Sequence, residues 1–298
     1  QGCRFFLWSL GTGVKRVANK VTPNKNFKKG GRRTNPLDVA VKSKDKSTLQ
    51  MVANALHHKE VLLAYQPVVL ASDPLKPAFY EGLIRVLDAT GRIIQAKDFV
   101  PVIENHEMGR MIDCLSLEFG LTALREHPDL RLSINMSARS IGYAKWMRVL
   151  QEGLESSPTI GERLLLEITE SSAMLMPELV ISFMDNLQDQ GIAFAMDDFG
   201  SGYTSFIYLL DFFFDIVKID GDFIRGVHNS PDNQALVTAL VTIAKQFDMF
   251  TVAEGLEGPN EAAYLLETGV DCLQGYYYGA PTTTVPRYAQ GNISQSSA

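Results

Sequence analysis

Cysteine is scarce in this sequence. Cys3, Cys114 and Cys272 are three in 298 residues, odd in number and far apart. That excludes a disulfide framework and fits a reduced, cytosolic compartment. Long apolar runs are missing as well: nothing approaches the ~18 consecutive apolar residues of a membrane span. No Gly-rich phosphate loop follows the first strand-like run, which argues against a doubly wound nucleotide-binding sheet. The five histidines, His57, His58, His106, His127 and His228, fall on predicted helices or loops, which argues against zinc. Acids are absent from the first 33 residues, which carry nine Lys and Arg.

That last absence divides the chain. Setting the nine aside leaves 19 basic residues against 34 acidic ones, so the remainder carries a charge near −15. A body that acidic is a poor surface for long nucleic acids, whose binding rests on neutralising phosphates. A small anion is still accessible to it through metal ions. Apolar content of 46% and charged content of 21% fit a soluble chain with a sizeable core. The sequence opens on Gln1 rather than Met, which reads as a fragment or a processed chain. Residues 1–46 are expected to form a basic, disordered segment, with residues 1–33 the candidate for a membrane-proximal tether. Residues 47–288 are expected to form one domain and residues 289–298 a flexible tail.

Within that domain, strand-like and helix-like stretches alternate. Strand-like runs cover residues 61–70, 78–87, 130–136, 163–169, 192–196, 213–219, 249–253 and 270–273. Helical periodicity marks residues 48–58, 96–107, 110–126, 144–155, 177–190 and 232–247, and a further helix opens at Pro259 and ends at Gly269. The spacing puts Leu179, Phe183 and Leu187 on one face, and Leu236, Leu240, Ile243 and Phe247 on another. Eight strands with intervening helices over roughly 230 residues approach the ~250 of a TIM-like (β/α)8 barrel, the expected α/β fold.

Chemistry collects at the ends of these strands. The run 192–196 leads straight into Asp197 and Asp198, followed by Gly200 and Gly202. Adjacent acids at the end of a buried strand are costly unless a cation lies between them, and oxygen ligation points to a hard ion such as Mg²⁺ or Mn²⁺. Asn135, Glu167, Lys218, Glu254 and Gln274 occupy the same position in other units. In a β/α barrel those ends meet at one face, so the seven converge on one site. Arg85 and Lys218 are suited to contacts with a phosphate and a nucleophile.

Eight short motifs follow in order: YQP at 65–67, EGLIR at 81–85, INMS at 134–137, LEITE at 166–170, DDFGSGYTS at 197–205, KID at 218–220, AEGLE at 253–257 and QGYYYG at 274–279. In these the chain from about residue 62 to 281 resembles EAL-domain phosphodiesterases of cyclic di-GMP signalling. The resemblance implies hydrolysis of cyclic di-GMP to linear pGpG with two divalent cations, Mg²⁺ or Mn²⁺. It implies Glu81, Asn135, Glu167 and Asp197 as ligands of one ion, with Asp197 bridging to a second held by Asp198 and Glu254. Lys218 is then expected to orient the attacking water, with Glu254 accepting its proton and Glu81 also in the catalytic set. Arg85, Gln66, Leu83 and Gln274 are the expected substrate contacts, and Glu170 and Asp220 the expected loop anchors. The loop over residues 199–205 is where the resemblance places dimer contact and regulation, and a homodimer is expected.

Two departures stand out. Gly82 replaces the signature alanine beside Glu81, and Val86, Leu87 and Asp88 lead into a short turn where the family often has Trp and a longer loop. No metal ligand is lost, so activity is expected. Nothing upstream matches a cyclase domain or a sensor, which leaves any sensor outside this chain. Two further readings stay open: a binding-only cyclic di-GMP receptor, and a metal-dependent barrel enzyme using Lys218 for proton abstraction. The full acid set speaks against the first, and the adjacency of Asp197 and Asp198 is unexplained by the second.

Overall fold

The computed structural model describes residues 36–201 and 211–286. The expected tether over residues 1–33, residues 202–205 of the glycine loop and the tail 289–298 lie outside them. Contacts divide the chain into Gln1–Val41 and Lys42–Ala298. In chain order the described elements begin with α1 (Pro36–His58), β1 (Val61–Leu70), β2 (Asp73–Leu87), β3 (Ile93–Gln95), α2 (Ala96–Ile103) and α3 (Glu107–Glu126). They continue with β4 (Leu132–Asn135), α4 (Ala144–Ser156), β5 (Leu164–Thr169), α5 (Glu170–Leu175), α6 (Pro177–Gln188) and β6 (Ala193–Phe199). The last are β7 (Ile216–Ile219), α7 (Gly221–Ile224), α8 (Pro231–Gln246), β8 (Phe250–Ala253), α9 (Pro259–Thr268) and β9 (Cys272–Gln274). Residues 36–46, placed by the sequence in a linker, belong to α1. Pro36 suits a first helical position, and no Gly or Pro follows it before His58.

Eight strands close into a barrel in the order β1, β9, β8, β7, β6, β5, β4, β2, with β1 pairing back onto β2 and β3 added outside the ring. Every neighbouring pair from β2–β4 round to β8–β9 is parallel. Strand β1 runs antiparallel to both β2 and β9. The cause is local: only Ala71 and Ser72 separate β1 from β2, too few for the crossover that parallel strands need.

The lumen is filled in layers. Val68, Phe79, Leu165, Ala195, Ile216, Val252 and Cys272 form a separate buried apolar cluster, one from each of seven strands. Side chains two apart on a strand share a face. Moving two residues toward the mouth converts that cluster into Gln66, Glu81, Glu167, Asp197, Lys218, Glu254 and Gln274. On β4 the same step leads from the buried Ser133 to Asn135. Only on β1 is the step taken backwards in sequence, because that strand is reversed. An apolar plug therefore carries a polar ring directly above it.

Outside the barrel, the helices pack on the larger core through faces that match expectation in part: Phe183, Leu187 and Leu240 are buried as expected, while the edge of each face is shifted. In α6 the buried side chains are Val180, Phe183, Met184 and Leu187, while Leu179 is exposed. In α8 they are Val237, Leu240, Val241 and Ala244, with Leu236 and Phe247 exposed. Both helices carry apolar residues at adjacent positions, so periodicity gives the helix but leaves the phase to packing.

One contact explains the departure at Gly82. A Cβ built there would lie 2.7 Å from Ile134 Cδ1, 3.0 Å from Leu63 Cδ2 and 3.1 Å from the Ser133 carbonyl oxygen. A Cβ on Gly120 of α3 would also meet Ile134 Cδ1, at 2.7 Å. The fully buried Ile134 thus fills the space left by two glycines, one on each side.

Candidate active site

Lys218, near the end of β7, stands at the centre of the polar ring and is almost wholly buried. Its Nζ lies 2.6 Å from Glu254 Oε1, 2.7 Å from Glu167 Oε2, 3.3 Å from Glu81 Oε2 and 3.4 Å from Asp197 Oδ1. These partners come from β5, β2, β6 and the residue following β8. Asn135 Nδ2 donates to Glu81 Oε1 at 2.8 Å, and Gln274 Nε2 to Glu81 Oε2 at 2.6 Å. Gln274 Nε2 also lies 3.4 Å from Gln66 Oε1, and Gln66 Nε2 donates to the Gly279 carbonyl at 3.1 Å. Eight residues of the polar ring are therefore joined in one connected cluster, six from strand ends and Gln66 and Glu81 from within β1 and β2.

One ammonium does not neutralise four carboxylates. Burial, together with the nearby Glu81, pushes Glu167 up to about 8 despite Lys218. Burial likewise raises Glu254 well above the ordinary carboxylate range. At Glu81 burial also favours the acid form, but Lys218, Gln274 and Asn135 outweigh it and hold the group low. Burial opposes the charge on Lys218; Asp197, Glu167, Glu254 and Glu81 overcome this and raise its pKa well above the ordinary value. The cluster retains protons for want of positive charge.

Asp198 stands beside this cluster in an unusual conformation. Its φ of 56° is left-handed, and the β6–β7 register breaks between Met196 and Phe199. Aspartate tolerates that region better than most residues, and the bulge turns the second acid out of the strand's alternation. Burial, then Asp197 and Asp220, raises Asp198 to about 6. Asp197 Oδ1 accepts the Asp198 N–H at 3.0 Å, and Glu170 Oε2 accepts the Gly200 N–H at 3.0 Å. Glu170 is buried at the start of α5. Asp220 caps α7 by accepting the Asp222 N–H at 2.7 Å.

Leu83 and Arg85 follow Glu81 at two-residue steps and share its face of β2. Arg85 is buried, with Nη1 donating to the Ile84 carbonyl at 2.9 Å. Burial lowers its pKa, while Glu81 and Tyr276 act in the opposite sense.

The donor set fits a hard divalent cation. Carboxylate oxygens of Asp197, Asp198 and Glu254 all lie within 4.8 Å of one another. Glu167 Oε1 and Gln274 Oε1 are buried without a hydrogen-bond partner, the state expected of oxygens meant for another ligand. Every donor is oxygen, which suits Mg²⁺ or Mn²⁺.

Three supporting residues escape a strand-end reading. Glu261 Oε1 accepts the Gly226 N–H at 2.7 Å, and its Oε2 the N–H groups of Glu257 and Gly258 at 2.9 and 3.1 Å. It thereby ties the chain after α7 to the loop carrying Glu254; Glu three residues after a helix start was the available signal. Asp113 of α3 accepts from Ser137 N–H at 3.0 Å and Ser140 Oγ at 2.6 Å, fixing the turn after Asn135. Arg225, at the end of α7, lines the mouth beside Glu254. Neither had a signal in the sequence.

The EAL domain model matches residues 49–281. Cyclic di-GMP phosphodiesterase PdeF of Escherichia coli K12 is 29% identical over 244 residues, 80% of this chain and 32% of that protein. Cyclic di-GMP phosphodiesterase NbdA of Pseudomonas aeruginosa is 28% identical over 232 residues, 76% of this chain and 30% of that protein. The chain thus spans about a third of the length of these relatives. The solved structure of the PaMucR phosphodiesterase in complex with c-di-GMP superposes with a TM-score of 0.73 at 28% identity, over 80% of this chain and 98% of the other. Among the described residues, no helix is long and apolar enough to cross a membrane. A closed eight-strand barrel with an acid cluster at its mouth, matched over 49–281, identifies the chain as a member of the EAL domain family.

Proposed function

We propose that this chain hydrolyses cyclic di-GMP to linear pGpG. The observation that carries the reading is Lys218 held within 3.4 Å of four carboxylates at the mouth of an EAL barrel. Hydrolysis adds water to one phosphorus and breaks its bond to the 3′ oxygen, leaving a 5′ phosphate and a free 3′ hydroxyl. Two divalent cations, held by Glu81, Asn135, Glu167 and Asp197 and by Asp197, Asp198 and Glu254, would supply charge neutralisation and a more acidic water.

The protein's own groups do the rest. The Lys218 ammonium donates to the attacking water and orients it. Glu254, 2.6 Å from that ammonium, takes up the proton the water releases. Arg85 holds a phosphate oxygen, and Gln66, Leu83 and Gln274 contact the nucleotide. Glu170 fixes the chain beyond the aspartate pair through Gly200. A homodimer and an upstream sensor domain belong to this proposal on the resemblance alone, and a cytoplasmic location on the scarcity of cysteine.

The test is incubation of the purified chain with cyclic di-GMP and Mg²⁺ or Mn²⁺, with and without chelator, followed by separation of the nucleotides. Metal-dependent pGpG supports the enzyme. Tight binding with no linear product would replace it with a receptor.

A further inference from the structure

Arg225 stands at the mouth as a cation that the chemistry above does not use. It lines a cavity of about 230 Å³ together with Gln66, Glu254, Gln274 and Tyr276, so the cavity is continuous with the acid cluster. Its guanidinium rests over two glycines. A Cβ on Gly221 would come 3.1 Å from Arg225 Nη1, and one on Gly255, whose φ is +69°, would come 3.4 Å from it. The charge is met by Asp222, but the two side chains are 50% and 78% exposed. An ion pair that open to water contributes little and leaves guanidinium donors free for a ligand.

Among the described residues, two other cations of the mouth already have partners: Lys218 is enclosed by carboxylates, and Arg85, which donates to the Ile84 carbonyl, is assigned above to the phosphate that is cleaved. A cyclic dinucleotide carries two phosphodiesters, and only one can lie at the acid cluster while it is cleaved. The second must lie elsewhere in a strongly acidic mouth, where it needs a counter-charge. Resting on the proposed activity, we infer that Arg225 binds the uncleaved phosphodiester of the cyclic dinucleotide. It thereby selects a substrate with two phosphates over a simple diester.

The test compares wild type, Arg225→Ala and Arg225→Lys in Mn²⁺ on cyclic di-GMP and on bis(p-nitrophenyl) phosphate, which has a single diester. Arg225→Ala is expected to raise KM for cyclic di-GMP roughly tenfold or more, the scale of one lost charge-assisted contact, with a much smaller effect on kcat. The kcat/KM for the simple diester falls far less, and Arg225→Lys recovers part of the lost affinity. Calorimetric binding of cyclic di-GMP in Ca²⁺ is expected to show the same order of affinities. An equal loss on both substrates, or unchanged affinity for cyclic di-GMP, overturns the assignment while leaving the hydrolase reading intact. A wild-type chain that neither binds nor hydrolyses cyclic di-GMP overturns the underlying reading and this assignment with it.

Discussion

Lys218 Nζ lies 2.7 Å from Glu167 Oε2, with the two side chains 1% and 0% exposed. Removing one partner of a buried pair leaves the other charge without compensation. Lys218→Met should therefore destabilise the metal-free protein by about 3 kcal/mol at pH 8. Urea unfolding in chelator measures this. Added Mn²⁺ should restore more stability to the variant than it adds to wild type, since the cation then replaces the missing charge. Equal stability of the two proteins in chelator would contradict this.

The Glu170–Gly200 hydrogen bond should matter for turnover more than for folding. Glu170→Ala leaves the Gly200 N–H without its acceptor, next to the left-handed Asp198. A loss in kcat of roughly tenfold is expected, with Glu170→Gln keeping an acceptor oxygen and most of the rate. Steady-state kinetics on cyclic di-GMP decides it; wild-type kcat in the alanine variant would exclude the role.

Restoring the signature alanine should do harm here. Gly82→Ala lowers backbone entropy in the unfolded chain, but its methyl meets Ile134 Cδ1 at 2.7 Å and a backbone oxygen at 3.1 Å. Crowding should outweigh the gain and cost about 1 kcal/mol net. Thermal melting should show a lower Tm for Gly82→Ala and recovery when Ile134→Val is added. A higher Tm in the single variant would refute the crowding.

Burial raises Asp113 to about 6, despite hydrogen bonds from Ser140 and Ser137. Its folded pKa exceeds the ~3.9 of an unfolded aspartate, so the folded state holds this proton more tightly. The contribution is present below pH ~4 and is lost as pH rises through about 6. Relative to Asp113→Asn, wild type should lose about 2 kcal/mol between pH 4 and pH 8. Paired urea titrations at the two pH values check this, and a pH-independent difference would exclude it.

The site was legible because short apolar runs ended on Asn135, Glu167, Asp197, Lys218, Glu254 and Gln274, and a barrel brings such ends together. The reversal of β1 was harder to read: YQP lies mid-run, and only the two-residue link at Ala71 and Ser72 betrays a hairpin. Gln66 reaches the mouth because of that reversal. Phase was ambiguous where Leu236 and Val237 are both apolar; the barrel buried Val237, leaving the leucine exposed. Asp113 and Arg225 act across elements, and no local pattern encodes such distances.

The most direct test is the rate of pGpG formation by wild type and Glu167→Gln at saturating Mn²⁺. Wild type should convert cyclic di-GMP to pGpG and stop on chelation, with Glu167→Gln slower by roughly a hundredfold. Turnover by Glu167→Gln at the wild-type rate, or turnover that survives chelation, would contradict the account.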